Sequence, residues 1–153
     1  MSSGYHVPST TNGHGVCESS TDVLSRKIVE YHVYESLHTR HVATAFKMAL
    51  SGRRTTHRLI HHSDRGIQYC AKEYQALHQR YGITCSMTDG YDCYQNALAE
   101  RVNEILKMEY LVVKQEDIEQ ARKMVRESVE IYNTQRPHLS LKYKKPDEIH
   151  RAL

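Results

Sequence analysis

A layered α/β domain is what this sequence predicts, on three observations. Strand-like runs alternate with helical stretches, an aspartate closes one of those runs, and the last third reads as helix. Residues 1–20 stand apart. They are rich in Gly, Ser, Thr, Asn and His without a period of 2 or 3.6, so they are expected to be irregular or disordered. Residues 27–33 alternate, with Val29, Tyr31 and Val33 on one face, and predict a strand. Thr39 is the expected N-cap of a helix running to about residue 50. Its stripe is Val42, Ala43, Phe46, Ala49 and Leu50, and Ser51-Gly52 ends it.

Residues 57–63 predict the next strand, which delivers Asp64 at its C-terminal edge. Residues 72–81 predict a helix through Tyr74, Leu77 and Tyr81, stopped by Gly82. A short strand over 83–87 and a loop over 88–94 come next. Residues 96–113 and 115–133 predict two long helices. The second has Glu116 and Asp117 in its first turn, where they complement the helix dipole, and an apolar face of Ile118, Ala121, Val125, Val129 and Tyr132. Pro137 and Pro146 break the C-terminal segment.

Composition limits the function classes. A chain of 153 residues supports one domain with a modest core; it has no Trp and one Phe, so its large apolar side chains are mostly Tyr. No apolar run nears the roughly 20 residues of a membrane span, and no signal-peptide pattern opens the chain, so a cytoplasmic protein with no membrane partner is expected. Cys17, Cys70, Cys85 and Cys93 contain no C-x-x-C pair and are expected to be free thiols. His57, His61 and His62 crowd one strand, but no Cys or carboxylate repeats at zinc-ligand spacing beside them. The net charge of +3 is mild; its distribution is more informative, because Arg136, His138, Lys142, Lys144 and Lys145 succeed one another with no acid between them. Such a stretch is either a solvated tail or a track for phosphates.

The chemistry lies in two carboxylates. Asp64 ends an apolar strand pattern and precedes Arg65-Gly66, at the strand end where α/β domains bind ligands. Glu100 lies in an amphipathic helix whose buried stripe is Leu98, Val102, Ile105 and Leu106. Glu100, Asn103, Glu104 and Lys107 share another face at i, i+3, i+4 and i+7. A strand-end Asp and a helical Glu can converge on a divalent metal for phosphodiester chemistry. The bland alternative for the helix is an ordinary solvated face of Glu–Lys pairs.

From Thr21 onward the chain resembles the catalytic region of bacterial insertion-sequence transposases, a DDE domain of the retroviral-integrase, ribonuclease H-like type. The stretches that carry the resemblance are Thr21-Asp22-Val23-Leu24-Ser25-Arg26-Lys27-Ile28-Val29, His61-His62-Ser63-Asp64-Arg65-Gly66-Ile67-Gln68-Tyr69, Ser86-Met87-Thr88, Asn96-Ala97-Leu98-Ala99-Glu100-Arg101, Tyr132-Asn133, Arg136-Pro137-His138 and Ser140-Leu141. The resemblance implies DNA transposition by metal-dependent strand cleavage and transfer, with Mg2+ or Mn2+ as cofactor. Asp64 would be the second catalytic carboxylate and Glu100 the third, both metal ligands. Lys107 would contact DNA, with Arg65, Arg136, Lys142, Lys144 and Lys145 as further DNA-binding candidates. Implied partners are DNA at transposon ends and target, further copies of the chain, or a full-length transposase.

The departure from the family pattern concerns its first catalytic Asp, which family members carry on the first strand, usually after a Trp. Residues 1–20 hold neither. Asp22 is the nearest aspartate by number, but its context matches the end of the family's second strand. The expectation is therefore an incomplete ribonuclease H-like fold lacking the first strands, with an unrelated segment at 1–20, a partial core at 21–153 and a basic tail from about 134. Its function is expected to be that of a truncated, inactive transposase, or alternatively of a non-catalytic remnant that binds DNA or a transposase.

Overall fold

Ser2–His6 forms a strand, β1, paired antiparallel with a second strand at Val16–Thr21 (β4). The computed structural model describes residues 2–6, 9–10, 13–14, 16–35, 39–51, 57–64, 66–87, 97–110 and 117–153. A two-residue ribbon, β2 (Ser9–Thr10) with β3 (Gly13–His14), lies between β1 and β4 in the chain. The main sheet is completed by β5 (Ile28–Tyr34), antiparallel to β4, by β6 (Ile60–Ser63), parallel to β1, and by β7 (Thr84–Met87), parallel to β6. The order across the sheet is β5-β4-β1-β6-β7, so β1 is its central strand.

The ribonuclease H-like α/β class is therefore upheld, but the expectation that its first strands are lacking is corrected, and with it the irregular reading of residues 1–20. The composition misled because β4 is polar yet internal: Glu18, Ser19, Ser20 and Thr21 are all buried. An internal strand needs backbone partners on both sides, and β4 finds them in β1 and β5 without apolar alternation of its own. Neither the strand at 28–34 nor the one at 60–63 is left without a neighbour.

Helices cover both faces. On one lie α1 (Thr39–Ser51), α2 (Ile67–Cys70) and α3 (Lys72–Arg80), whose Val42, Phe46, Tyr69, Tyr74 and Leu77 make one core. On the other lie α4 (Ala97–Ile105), continued by a π-helical turn at Leu106–Tyr110, and α5 (Ile118–Thr134). There Val102, Ile105, Leu106, Ala121, Val125, Val129 and Tyr132 pack on Cys17, Ile28 and Val33. The expected stripe of α5 is borne out, with Asp117 as its N-cap: a carboxylate oxygen accepts from the Gln120 N–H at 2.8 Å. The expected alternation of β5 holds for Tyr31 and Val33, which share the α5 face, but not for Val29. A bulge opposite Ser20/Thr21 brings Ile28 to the α5 face and leaves Glu30 buried on the other. The expected loop at 88–94, the helix end at 111–113 and Gly52 lie outside the described residues.

His61 belongs to the α1 core and not to a metal cluster. It is fully buried beside Phe46 and Tyr74, and its Nδ1 lies 2.9 Å from Nε2 of His78. Nδ1 of His78 faces the Tyr74 carbonyl at 3.0 Å and must carry a proton there, so its Nε2 accepts from the Nδ1–H of His61. Burial, then His78, depress the His61 pKa to about 3. A depressed histidine stabilises the fold above its unfolded value of about 6.5, and that stability is lost as the pH falls toward about 3. In an NMR titration the His61 ring should still show neutral-imidazole shifts at pH 5; a protonated ring there would contradict this packing.

Candidate active site and nucleic-acid interface

Asp64 comes directly after β6 and is half-buried. Its Oδ1 accepts the Gly66 N–H at 2.8 Å, just ahead of α2. A Cβ built at Gly66 would sit 3.0 Å from that same carboxylate oxygen, so a larger residue there would require the Asp64 side chain to give way by a few tenths of an ångström. The Gly66 φ of −52° is ordinary, so the turn itself does not demand glycine. Strand β6 alternates: His61 and Ser63 are buried in the α1 layer, while His62 and Asp64 take the other side. The Nδ1 of His62 is 2.9 Å from the Ser86 hydroxyl on β7.

The position beside Asp64 on the central strand can be read from the register. Ser2 pairs with His62 in the parallel β1–β6 ladder. Continuing two residues sets Gly4 level with Asp64, on the same face, one strand spacing of about 4.8 Å away. Sequence reading missed this position, because neither a carboxylate nor an aromatic marks it.

Glu100 is exposed in the first turn of α4, and α4 packs on β1 and β4. One turn further on, the Asn103 side chain accepts from the Ser19 hydroxyl on β4 at 3.1 Å, which fixes that face of the helix over the sheet. Glu100 thus lies on the helix that covers β1, on the Asp64 side of the sheet. Among the described residues, no group of three or more His, Cys, Asp or Glu side chains is placed to hold a metal ion. Asp22 is used elsewhere. Its Oδ1 accepts from the backbone N–H of Leu24 and Ser25 and from the Ser25 hydroxyl, closing the turn after β4. Burial alone would raise its carboxyl, but the Ser25 hydrogen bonds prevail and hold it below its ordinary value.

A DDE domain needs a cage of three carboxylates to neutralise its metals. Asp64 and Glu100 would supply two, and Gly4 has nothing to give, so the described residues do not fit the two-metal group the fold class implies.

The basic candidates differ in freedom. Lys107 is exposed at the start of the π-helical turn. Arg136 is engaged, donating from Nε and Nη2 to Glu109 at 2.8 and 2.7 Å. The expected tail is folded. A reversal pairs His138 with Lys144, a 3-10 turn occupies Leu139–Leu141, and α6 (Pro146–His150) docks on α5. Lys142 and Lys144 are exposed on the reversal, while the Lys145 N–H donates to the Glu148 carboxylate. Arg65 lies outside the described residues. Of the cysteines described, Cys17, Cys70 and Cys85 are in no disulfide, as expected of thiols.

Comparison with known proteins agrees with this architecture. Residues 5–93 match an integrase core domain model, and residues 81–146 match a second integrase core domain model. The chain is 38% identical over 122 residues to an uncharacterized 31 kDa protein of insertion element IS600 from Shigella sonnei, covering 78% of this chain and 45% of that one. It is 31% identical over 132 residues to the transposase of IS904 from Lactococcus lactis, covering 85% and 52%. It is 34% identical over 88 residues to the transposase InsF of IS3A from Escherichia coli, covering 58% and 31%. The chain thus spans about half, or less, of the length of these relatives. Among solved structures, the HTLV-2 integrase catalytic core domain in complex with magnesium superposes with a TM-score of 0.74 at 18% identity, over 97% of this chain and 92% of that one. The simian T-cell lymphotropic virus intasome in complex with PP2A B56 gamma gives 0.82 at 13% identity, over 97% and 52%. With its sheet order, its strand-end aspartate and a family match from the first strand onward, this chain belongs to the integrase core domain family.

Proposed function

We propose that this chain is an insertion-sequence transposase core that keeps the fold and the DNA-facing surface of its family but lacks the metal cage for strand cleavage. The observation that carries the reading is the register that sets Gly4 beside Asp64. Two carboxylates leave two divalent charges under-neutralised, so Mg2+ or Mn2+ would be held weakly by Asp64 and Glu100. What remains is a surface for phosphates. Lys107, Lys142 and Lys144 are exposed, and none forms an ion pair among the described residues. Transposition requires chains to assemble on DNA, so association with further copies or with a full-length transposase belongs to the same reading.

Incubation with DNA carrying transposon ends, in Mg2+ or Mn2+, should give retention in a gel without nicked or joined product. Cleavage that disappears in Asp64→Asn would overturn the inactive reading. Replacing Lys107, Lys142 and Lys144 together by Ala should weaken retention regardless of DNA sequence. The dependence of log affinity on log salt should flatten by about one for each phosphate that is no longer neutralised. An unchanged slope would remove these lysines from the interface.

A further inference from the structure

Glu18 and Glu30 play no part in the site above, yet they stand on neighbouring strands in the face under α1 and α2. They are 2% and 6% exposed. In the β4–β5 ladder Ser20 pairs with Glu30 and Glu18 with His32, so the two acids are diagonal neighbours on the same face. Glu18 Oε1 accepts from the Tyr69 hydroxyl at 3.3 Å, and Glu30 Oε2 from the Ser20 hydroxyl at 3.2 Å. The other two oxygens, Oε2 of Glu18 and Oε1 of Glu30, have no hydrogen-bond partner among the described residues.

Among the described residues the surroundings offer no counter-charge. Strand β1 sets Tyr5 opposite Glu18 in register. Strand β5 brings His32 and Tyr34, and α1 brings His41, stacked on Tyr34. Helix α2 brings Tyr69, and behind it β6 and α3 hold His61 and His78 neutral. None of the ion pairs among the described residues involves either glutamate. A buried carboxylate with only hydroxyl donors is uncompensated when ionised, whereas a protonated carboxyl is a neutral group that can donate as well as accept.

We propose that this sheet is proton-gated: it closes with the Glu18 and Glu30 carboxyls protonated, and their ionisation loosens the α1–α2 layer from β4 and β5. Burial raises both carboxyls, Glu18 well above its ordinary value with Glu30 adding to the rise, and Glu30 to about 7. A carboxyl raised in the folded state contributes stability that is complete below the unfolded value of about 4.3 and is lost as the pH climbs through about 7. His61 acts in the opposite sense, losing stability on acidification, so a gain on acidification is the signature of the glutamates.

The test is a thermal melt of the full chain at pH 8 and pH 5.5, with amide exchange in α1 followed at both. The expected result is a Tm higher at pH 5.5 by roughly 5 °C, with faster exchange in α1 at pH 8 after correction for intrinsic rates. Glu18→Gln together with Glu30→Gln should raise the Tm at pH 8 and abolish the gain at pH 5.5. A Tm equal or lower at pH 5.5 in the parent chain would overturn the proposal, as would a double variant that keeps the gain. Should that variant fail to fold, carboxyl 13C titration of the parent decides: ordinary values for both glutamates overturn the gate, and raised values support it.

Discussion

Gly4→Asp should give this chain a response to divalent metal that the parent lacks. The parallel register places residue 4 beside Asp64 on the same face of the sheet, and an extended strand accepts Asp at that position without left-handed backbone. A third carboxylate next to Asp64 and below the helix of Glu100 completes the oxygen donor set that a hard cation requires. A ligand at about 100 times its Kd stabilises the native state by about 2.7 kcal/mol. For a domain of this size that is a rise in Tm of roughly 5–10 °C. The measurement is a pair of melts with and without millimolar Mn2+. The parent should shift by less than about 1 °C on the same scale, and Gly4→Asp should shift fully. Adding Asp64→Asn to Gly4→Asp should cancel the shift. A Gly4→Asp protein indifferent to Mn2+ would show that the missing donor position lies elsewhere; a shift that survives Asp64→Asn would show that the ion binds away from this site.

Asn133→Leu should be among the most damaging single changes outside the apolar core. Strand β5 is the edge of the sheet, and the Asn133 side chain closes it as a neighbouring strand would. Its Oδ1 accepts the Ile28 N–H and its Nδ2 donates to the Ile28 carbonyl, both at 2.9 Å. Ile28 is 3% exposed, so water cannot replace either bond. Leaving a buried donor and a buried acceptor unmade costs about 1–3 kcal/mol each, which is a fall in Tm of roughly 5–15 °C. Asn133→Asp should fall between the parent and Asn133→Leu at neutral pH, because it still accepts but no longer donates. A destabilisation below about 1 kcal/mol for Asn133→Leu would mean that the edge groups find other partners.

Tyr132-Asn133 illustrates what local sequence can and cannot convey. The helical period put Tyr132 on the buried stripe of α5, where it lies. Nothing local assigned Asn133 to a strand end more than a hundred residues earlier in the chain. His61 and His62 make the same point. Their crowding on one strand was plain, but the pleat sends His61 into an aromatic core and His62 toward Ser86, so the cluster counted along the chain does not exist in space. Asp22, the nearest aspartate to the missing first ligand by number, caps a turn instead.

The sequence by itself determined the α/β class, the two helical faces of α4 and α5, the strand-end setting of Asp64 and the family, because amphipathic period and strand-end carboxylates are local properties. Only the tertiary structure decided that residues 2–6 and 16–21 are strands, that Glu18 and Glu30 are buried, and that Gly4 is the position facing Asp64. A central strand takes its backbone hydrogen bonds from neighbours distant in the chain, and those bonds hold whatever side chains it carries.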